Sequence, residues 1–176
     1  KHLPAGSTAD FQVGLQGSVI VNAMAGEKQH IGYMGDMPAI VATTKDRVAD
    51  IRIVATAGLG QDQCNNMLVR TDAPEFASSD DAIQWMNGKV VAVPKGACTD
   101  RFALAVFEKK NITPDQYLNQ NIEVITSGFR AGKLDAAAIW EPTAARLVEE
   151  GLARKVATGA SVDENDGGFI DMRGDL

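Results

Sequence analysis

The sequence predicts an α/β protein. Short β-branched stretches alternate with helix-length segments along the whole chain, and the connections between them are only a few residues long. The composition agrees: 176 residues, 45% hydrophobic and 23% charged, can bury the core of one ordinary domain or of two small lobes.

The elements follow in order. Residues 30–34 read as a strand, after which Gly35-Asp36 opens a helix running to about Thr44. Residues 51–57 are β-branched and bounded by Gly58 and Gly60, which makes a second strand; 66–71 make a third. Ser78 and Asp81 form a capping box for a helix through Trp85 and Met86 that ends at Asn87-Gly88. Residues 89–93 are a strand stopped by Pro94. Thr99 or Asp100 caps the next helix, whose last turn carries Lys109 and Lys110, cations at the negative end of the helix dipole.

Thr113, Pro114 and Gln116 form another capping box, with proline at the first helical position. Residues 122–125, 136–139 and 155–157 complete the strands. Between them lie short helices opened by Ser127 and by Glu141-Pro142, the latter stopping at Gly151. Such alternation implies crossover units and a mostly parallel sheet. The soft stretch 72–81, with Pro74 and paired serines, places a boundary between two lobes. Residues 165–168 and 173–176 read as loop or as a second connection.

Seventeen Lys and Arg against 23 Asp and Glu leave a net charge of −6 with both His neutral. No basic block stands out, so nucleic acid is not an expected partner. No apolar run approaches the roughly 18 residues of a membrane span; the longest, 102–107, is bounded by Arg101 and Glu108. Cys64 and Cys98 form no CxxC and have no clustered His, so neither a metal site nor a cofactor is expected. They are either buried thiols or a pair formed in an oxidising compartment. The opening Lys1-His2-Leu3-Pro4 is neither an initiator nor a signal peptide, so the sequence reads as a mature or partial chain.

Three loops stand out because each joins a strand end, where ligands of parallel sheets bind, to a helix start rich in small or acidic residues. In Gly35-Asp36-Met37-Pro38-Ala39, glycine allows close backbone approach and Asp36 caps the helix. In the loop from Pro94 to Arg101, Gly96 permits a tight turn, and the N–H groups of Ala97, Cys98 and Thr99 point at the cleft, where a helix N-terminus holds an anion. In Trp140-Glu141-Pro142-Thr143, an aromatic and a carboxylate end a strand. Each also fits a plainer role: a capped helix start for the first two, a core Trp with a capping Glu for the third.

Enzyme signatures are missing. There is no GxSxG, HExxH, GxGxxG or P-loop pattern. His2 and His30 have no Ser or Cys partner at hand, and Cys98 beside Asp100 lacks a base. Asp36, Asp100, Asp135 and Glu141 are scattered and read as caps or solvated faces, so no catalytic residue is expected.

Three segments in this order, Ile31-Gly32-Tyr33-Met34-Gly35-Asp36-Met37-Pro38-Ala39, Gly88-Lys89-Val90-Val91-Ala92-Val93-Pro94-Lys95-Gly96 and Ala131-Gly132-Lys133-Leu134-Asp135-Ala136-Ala137-Ala138-Ile139-Trp140-Glu141-Pro142, resemble the substrate-binding proteins of ABC importers for nitrate, sulfonates, taurine and related small molecules. The resemblance implies a type II periplasmic-binding-protein fold: two α/β lobes with a ligand cleft between them. It implies a first lobe over 1–73, incomplete at its N-terminus, a linker at 74–82, a second lobe over 83–170 and a return crossing beginning at 171–176. Family chains are longer, and the resemblance implies an opening strand and a closing stretch outside the sequence given.

Carried over by position, the ligand contacts are Gly17, Gly35, Asp36, Met37, Gly58 and Leu59 from the first lobe, with Gln16 beside them. The second lobe contributes Gly96, Ala97, Cys98, Thr99, Trp140 and Glu141. The resemblance also implies a periplasmic or lipid-anchored extracytoplasmic monomer, made with a signal peptide, whose partners are the solute and a membrane permease. Ala97-Cys98 stands where relatives that hold oxyanions carry hydroxyl donors. A basic cleft residue is not identifiable among Arg70, Arg101 and Arg130. With the cysteines in opposite lobes, both are expected as thiols, since a disulfide would obstruct the hinge. Two alternatives share the fold: a biosynthetic enzyme of pyrimidine or menaquinone pathways, and the effector-sensing domain of a LysR-type regulator.

Overall fold

A computed structural model describes residues 4–44 and 49–176, so His2 lies outside the described residues. In order the elements are α1 (Gly17–Ala25), β1 (Ile31–Gly35), α2 (Asp36–Thr43), β2 (Ile51–Gly60), β3 (Asn66–Arg70), α3 (Ser79–Trp85) and β4 (Val90–Val93). Then follow α4 (Cys98–Lys110), β5 (Gln116–Asn119), α5 (Ile122–Arg130), β6 (Ala136–Ile139), α6 (Thr143–Glu149), β7 (Ala153–Thr158), α7 (Gly159–Val162) and β8 (Asp166–Arg173). They form two sheets, β1-β8-β2 and β5-β4-β6-β3-β7.

The larger sheet is apolar on both faces because helices cover both. Met67, Val69, Val91 and Val93 point to α3 and α4, where Phe102, Val106 and Ile83 are buried. Leu68, Ala92, Ala137 and Ile139 point the other way, onto Ile125 and Phe129 of α5 and Leu147 of α6. This is the near-continuous apolar pattern of a strand buried on both sides. The smaller sheet packs Met34 and Ile51 against Ile20, Val21 and Met24 of α1 and Ala39 and Ala42 of α2.

The sheets are mixed rather than mostly parallel. β4 runs parallel to β5 and β6, but β3 is antiparallel to β6 and β7. β8 is antiparallel to β1 and β2. Both β3 and β8 follow a crossing from the other sheet and enter against the direction of the strand–helix units they join. Periodicity reports that a segment is a strand, not which way its neighbour runs.

The two sheets cut across the expected segments. β3 falls within the 1–73 segment yet belongs to the larger sheet, and residues 166–170 fall within 83–170 yet pair with β1 and β2. The chain changes sheets between Gly60 and Asn66 and again between Thr158 and Asp166.

Four other expectations change. The capping box at 113–116 does not open a helix: the N–H groups of Asp115 and Gln116 donate to Lys89 O, and Gln116 begins β5 beside β4. Residues 122–125 are the first turn of α5, not a strand. Asn121 caps that helix by accepting from Val124 N at 2.9 Å, and Ile122, Ile125 and Phe129 form its buried stripe. Ser127 sits inside α5, its hydroxyl donating to Glu123 O. Residues 166–168, read as loop, begin β8. The Ser78 cap holds, its hydroxyl accepting from Asp81 N at 3.1 Å.

Candidate functional site

Between the two sheets lies a crevice of about 260 Å3. Its first-sheet wall is the start of α1 (Gln16, Gly17) and the end of β1 (Tyr33, Met34, Gly35), with Pro38 behind. Its opposite wall is Ala97 and Cys98 at the start of α4, with Trp140 and Glu141 after β6. The floor is made by the two crossing segments, through Gln63, Cys64, Asp166, Gly167 and Gly168.

Two of the glycines sit where another element comes close. A Cβ on Gly17 would lie 2.3 Å from a Pro38 ring carbon, and one on Gly35 would lie 3.1 Å from Cys98 Sγ. Two helices begin at the crevice, and neither Gln16 nor Ala97 caps its helix with a side chain. First-turn N–H groups of α1 and α4 therefore have no side-chain acceptor, which leaves a positive dipole end on each wall. Thr99 and Asp100 are not the cap of α4; the Asp100 carboxylate instead accepts from Gly96 N at 2.8 Å and from the Tyr117 hydroxyl at 2.7 Å. Burial and the Asp100 carboxylate together push the Tyr117 phenol far up.

Of the residues expected from the sequence, Gly17, Gly35, Ala97, Cys98, Trp140 and Glu141 come together on the crevice. Gly96 lines an adjoining cavity of about 180 Å3 with Lys95. The others lie elsewhere. The Asp36 carboxylate accepts from Met37 N at 2.6 Å and pairs with Arg101 at 3.0 Å. Met37 follows it into α2 and is not on the crevice wall. Gly58 and Leu59 on β2 pair with Gly168 and Gly167 of the crevice floor but do not line the crevice themselves, Leu59 being 79% exposed. Thr99 is fully buried, with Oγ1 unpartnered among the described residues.

Arg101 donates to Asn165 O at 2.7 Å and pairs with Glu164 at 3.5 Å as well as with Asp36. One guanidinium on α4 thus holds the start of α2 and the second crossing. Arg70 pairs with Asp72 and Asp135, and Arg130 with Glu150. None of the three lines the crevice. The charged residues that do are Glu141 and Asp166. Glu141 is occupied by the Lys155 ammonium and by Ala145 N at 2.8 Å.

The cysteines are joined: Cys64–Cys98 is a disulfide with Cα atoms 6.0 Å apart. The thiol expectation rested on a lobe boundary at 72–81. Because the chain changes sheets before Asn66, Cys64 belongs with the larger sheet's entry strand, and the bond ties that crossing to α4.

Sequence reasoning passed over Tyr33, Gln63, Asp166 and the Gly167-Gly168 pair. Tyr33 was legible, since it shares a strand face with Gly35 two residues on. Gly168 leaves room for it: a Cβ there would lie 2.5 Å from the Tyr33 hydroxyl oxygen. Asp166 sat in apparent loop and carried no local signal.

Two α/β layers joined by two crossings, with a crevice between, define the periplasmic-binding-protein fold. The structure superposes on the alkanesulfonate-binding protein SsuA from Xanthomonas axonopodis pv. citri bound to MOPS, with a TM-score of 0.71 and 23% identity over 92% of this chain and 54% of that one. SsuA from Escherichia coli, a periplasmic aliphatic sulphonate binding protein, gives 0.67 and 22% over 90% and 52%. PhnD1 from Prochlorococcus marinus in complex with methylphosphonate gives 0.65 and 8% over 91% and 62%. The chain spans about half the length of the SsuA proteins it matches. No protein-family model and no curated protein sequence matches it. Among the described residues, no helix is long and apolar enough to cross a membrane.

Proposed function

We propose that this protein binds a small solute with an anionic group in its crevice and delivers it, from the periplasm or an extracytoplasmic anchor, to the permease of an ABC importer. The observation that carries this reading is that α1 and α4, on opposite walls, both start at the crevice without side-chain caps. A helix N-terminus attracts an anion through its partial positive charge and free N–H groups, with no cationic side chain required. The sulfonate- and phosphonate-binding neighbours support the same class of ligand.

The lobes divide at 61–65 and 159–165, and the contacts are Gly17, Gly35, Ala97, Cys98, Trp140 and Glu141. The action is binding rather than chemistry. A solute touching both walls is held only when they are close, so it shifts the open–closed equilibrium by its differential affinity. The Arg101–Asp36 pair, at 3.0 Å, links α4 of one lobe to α2 of the other. The closed monomer is the form a permease reads.

A thermal-shift panel of sulfonates, phosphonates, nitrate and aromatic carboxylates tests this. A solute at 100 times its Kd adds about 2.7 kcal/mol of stability. No shift with any member of the panel refutes the proposal.

A further inference from the structure

The Cys64–Cys98 disulfide is part of the crevice surface, since both residues line it. Its two sulfurs are not equivalent. Cys64 is half-buried on the first crossing, whereas Cys98 is 4% exposed and is the first residue of α4. A Cβ at Gly35 would lie 3.1 Å from Cys98 Sγ and 3.5 Å from Cys64 Sγ, so glycine there keeps a side chain off the bond. Opening the bond does not free the crossing from the crevice floor, because Cys64 N still donates to Asp166 Oδ2 at 2.7 Å.

A small thiolate entering the crevice meets Cys64 as the more open sulfur. Attack there forms a bond from the incoming sulfur to Cys64 Sγ and breaks the bond between the two cysteines, whose electron pair leaves on Cys98 Sγ. A helix N-terminus stabilises the departing thiolate, and the better-stabilised thiolate leaves faster. A second small thiolate attacking the mixed disulfide frees Cys64 and completes the reduction, the two electrons coming from the two small thiols.

The Cys98 thiolate then lies at the end of α4 that faces the solute. Ala97 gives that end no side-chain cap, and among the described residues neither Lys nor Arg lines the crevice. Arg101 is held by Asp36, Glu164 and Asn165 O, and the Lys95 ammonium lies over the Tyr117 ring at 4.9 Å. The dipole of α4 is therefore the attraction that wall offers to an anion, and a negative charge on Cys98 offsets it.

We propose that Cys64–Cys98 is a thiol-exchange site that gates the crevice: the disulfide form binds the anionic solute, and opening at Cys64 by a small thiol leaves a Cys98 thiolate that takes the place of the solute's anionic group at α4. This rests on the solute-binding reading above and adds its regulation.

Two measurements test it. Oxidised wild-type protein is treated with 2-sulfanylethanol, quenched with a maleimide and mapped by peptide mass spectrometry. The mixed disulfide is expected on Cys64 and the maleimide on Cys98; the reverse assignment, or a bond that opens only when the protein unfolds, overturns the proposal. Calorimetry at pH 8 with ethanesulfonate, ethylphosphonate, nitrate and benzoate then compares three variants that all lack the bond. For each probe that the oxidised wild type binds, Cys64→Ser, which keeps Cys98, is expected to bind tenfold or more weakly than Cys98→Ser and Cys64→Ser/Cys98→Ser, which should agree within threefold. An equal loss in all three makes the disulfide a structural brace and overturns the gate, leaving the solute-binding reading standing. Failure of the oxidised wild type to bind any of the four probes overturns both. The peptide mapping uses the wild type alone and decides the inference even if the variants do not fold.

Discussion

Reducing the Cys64–Cys98 disulfide perturbs both the fold and the crevice. The bond spans a sequence separation of 34 residues. A cross-link closing a loop of that length removes about 3.8 kcal/mol of unfolded-chain entropy on the chain-entropy account. For a chain of this size each kcal/mol moves the midpoint by roughly 2–4 °C, so reduction should lower Tm by about 8–15 °C. The bond also holds Cys98, the first residue of α4, against Cys64 on the floor, with Gly35 packed on the sulfurs. Loosening it frees the second-lobe helix terminus, and solute affinity should fall along with Tm.

The assay is thermal unfolding of protein purified without reductant, with and without a phosphine reductant, beside the Cys64→Ser/Cys98→Ser double variant. The variant should match the reduced protein and ignore the reductant. Two labelled thiols in the untreated native protein, or an unchanged Tm on reduction, would refute the reasoning.

Three further outcomes follow from the packing and charge. Gly17→Ala should destabilise by about 1–3 kcal/mol and weaken solute binding, because the new methyl meets the Pro38 ring; chemical denaturation and calorimetry read the two effects separately. Phe102→Ala, at the fully buried centre of α4, should cost about 3–5 kcal/mol in urea unfolding. Asp171 is fully buried in β8 with both carboxylate oxygens unpartnered among the described residues, and burial raises its pKa. The folded state then keeps a proton that the unfolded chain releases near pH 4, so this group's contribution is present at low pH and lost as pH rises through its folded pKa. Asp171→Asn should remove that decline, raising stability at neutral pH relative to pH 4; an unchanged pH profile would count against it.

What the sequence determined is local. Ser78 and Asp81, three positions apart, announce the α3 cap, and the run at 89–93 ended by Pro94 reads as a strand. Gly35, Ala97 and Trp140 were legible as crevice residues because a glycine, a small residue or an aromatic at a strand end has a recognisable use. Those signals need a window of only a few residues.

Tertiary structure decided what depends on neighbours distant in the chain. Asn121 caps α5, but residues 122–125 look like a strand until Phe129 completes the helical stripe against the sheet. The directions of β3 and β8 come from which strands they meet, and those meetings are set by where the chain crosses between layers. Pairing of Cys64 and Cys98 was one of two open readings, and it lost to thiols while the crossing was placed eight or more residues too late. Asp166 is the clearest case: its carboxylate is held by the N–H of Cys64, which lies 102 residues away in the sequence. A hydrogen bond of that range leaves no periodicity behind, because its geometry exists only once both sheets have formed.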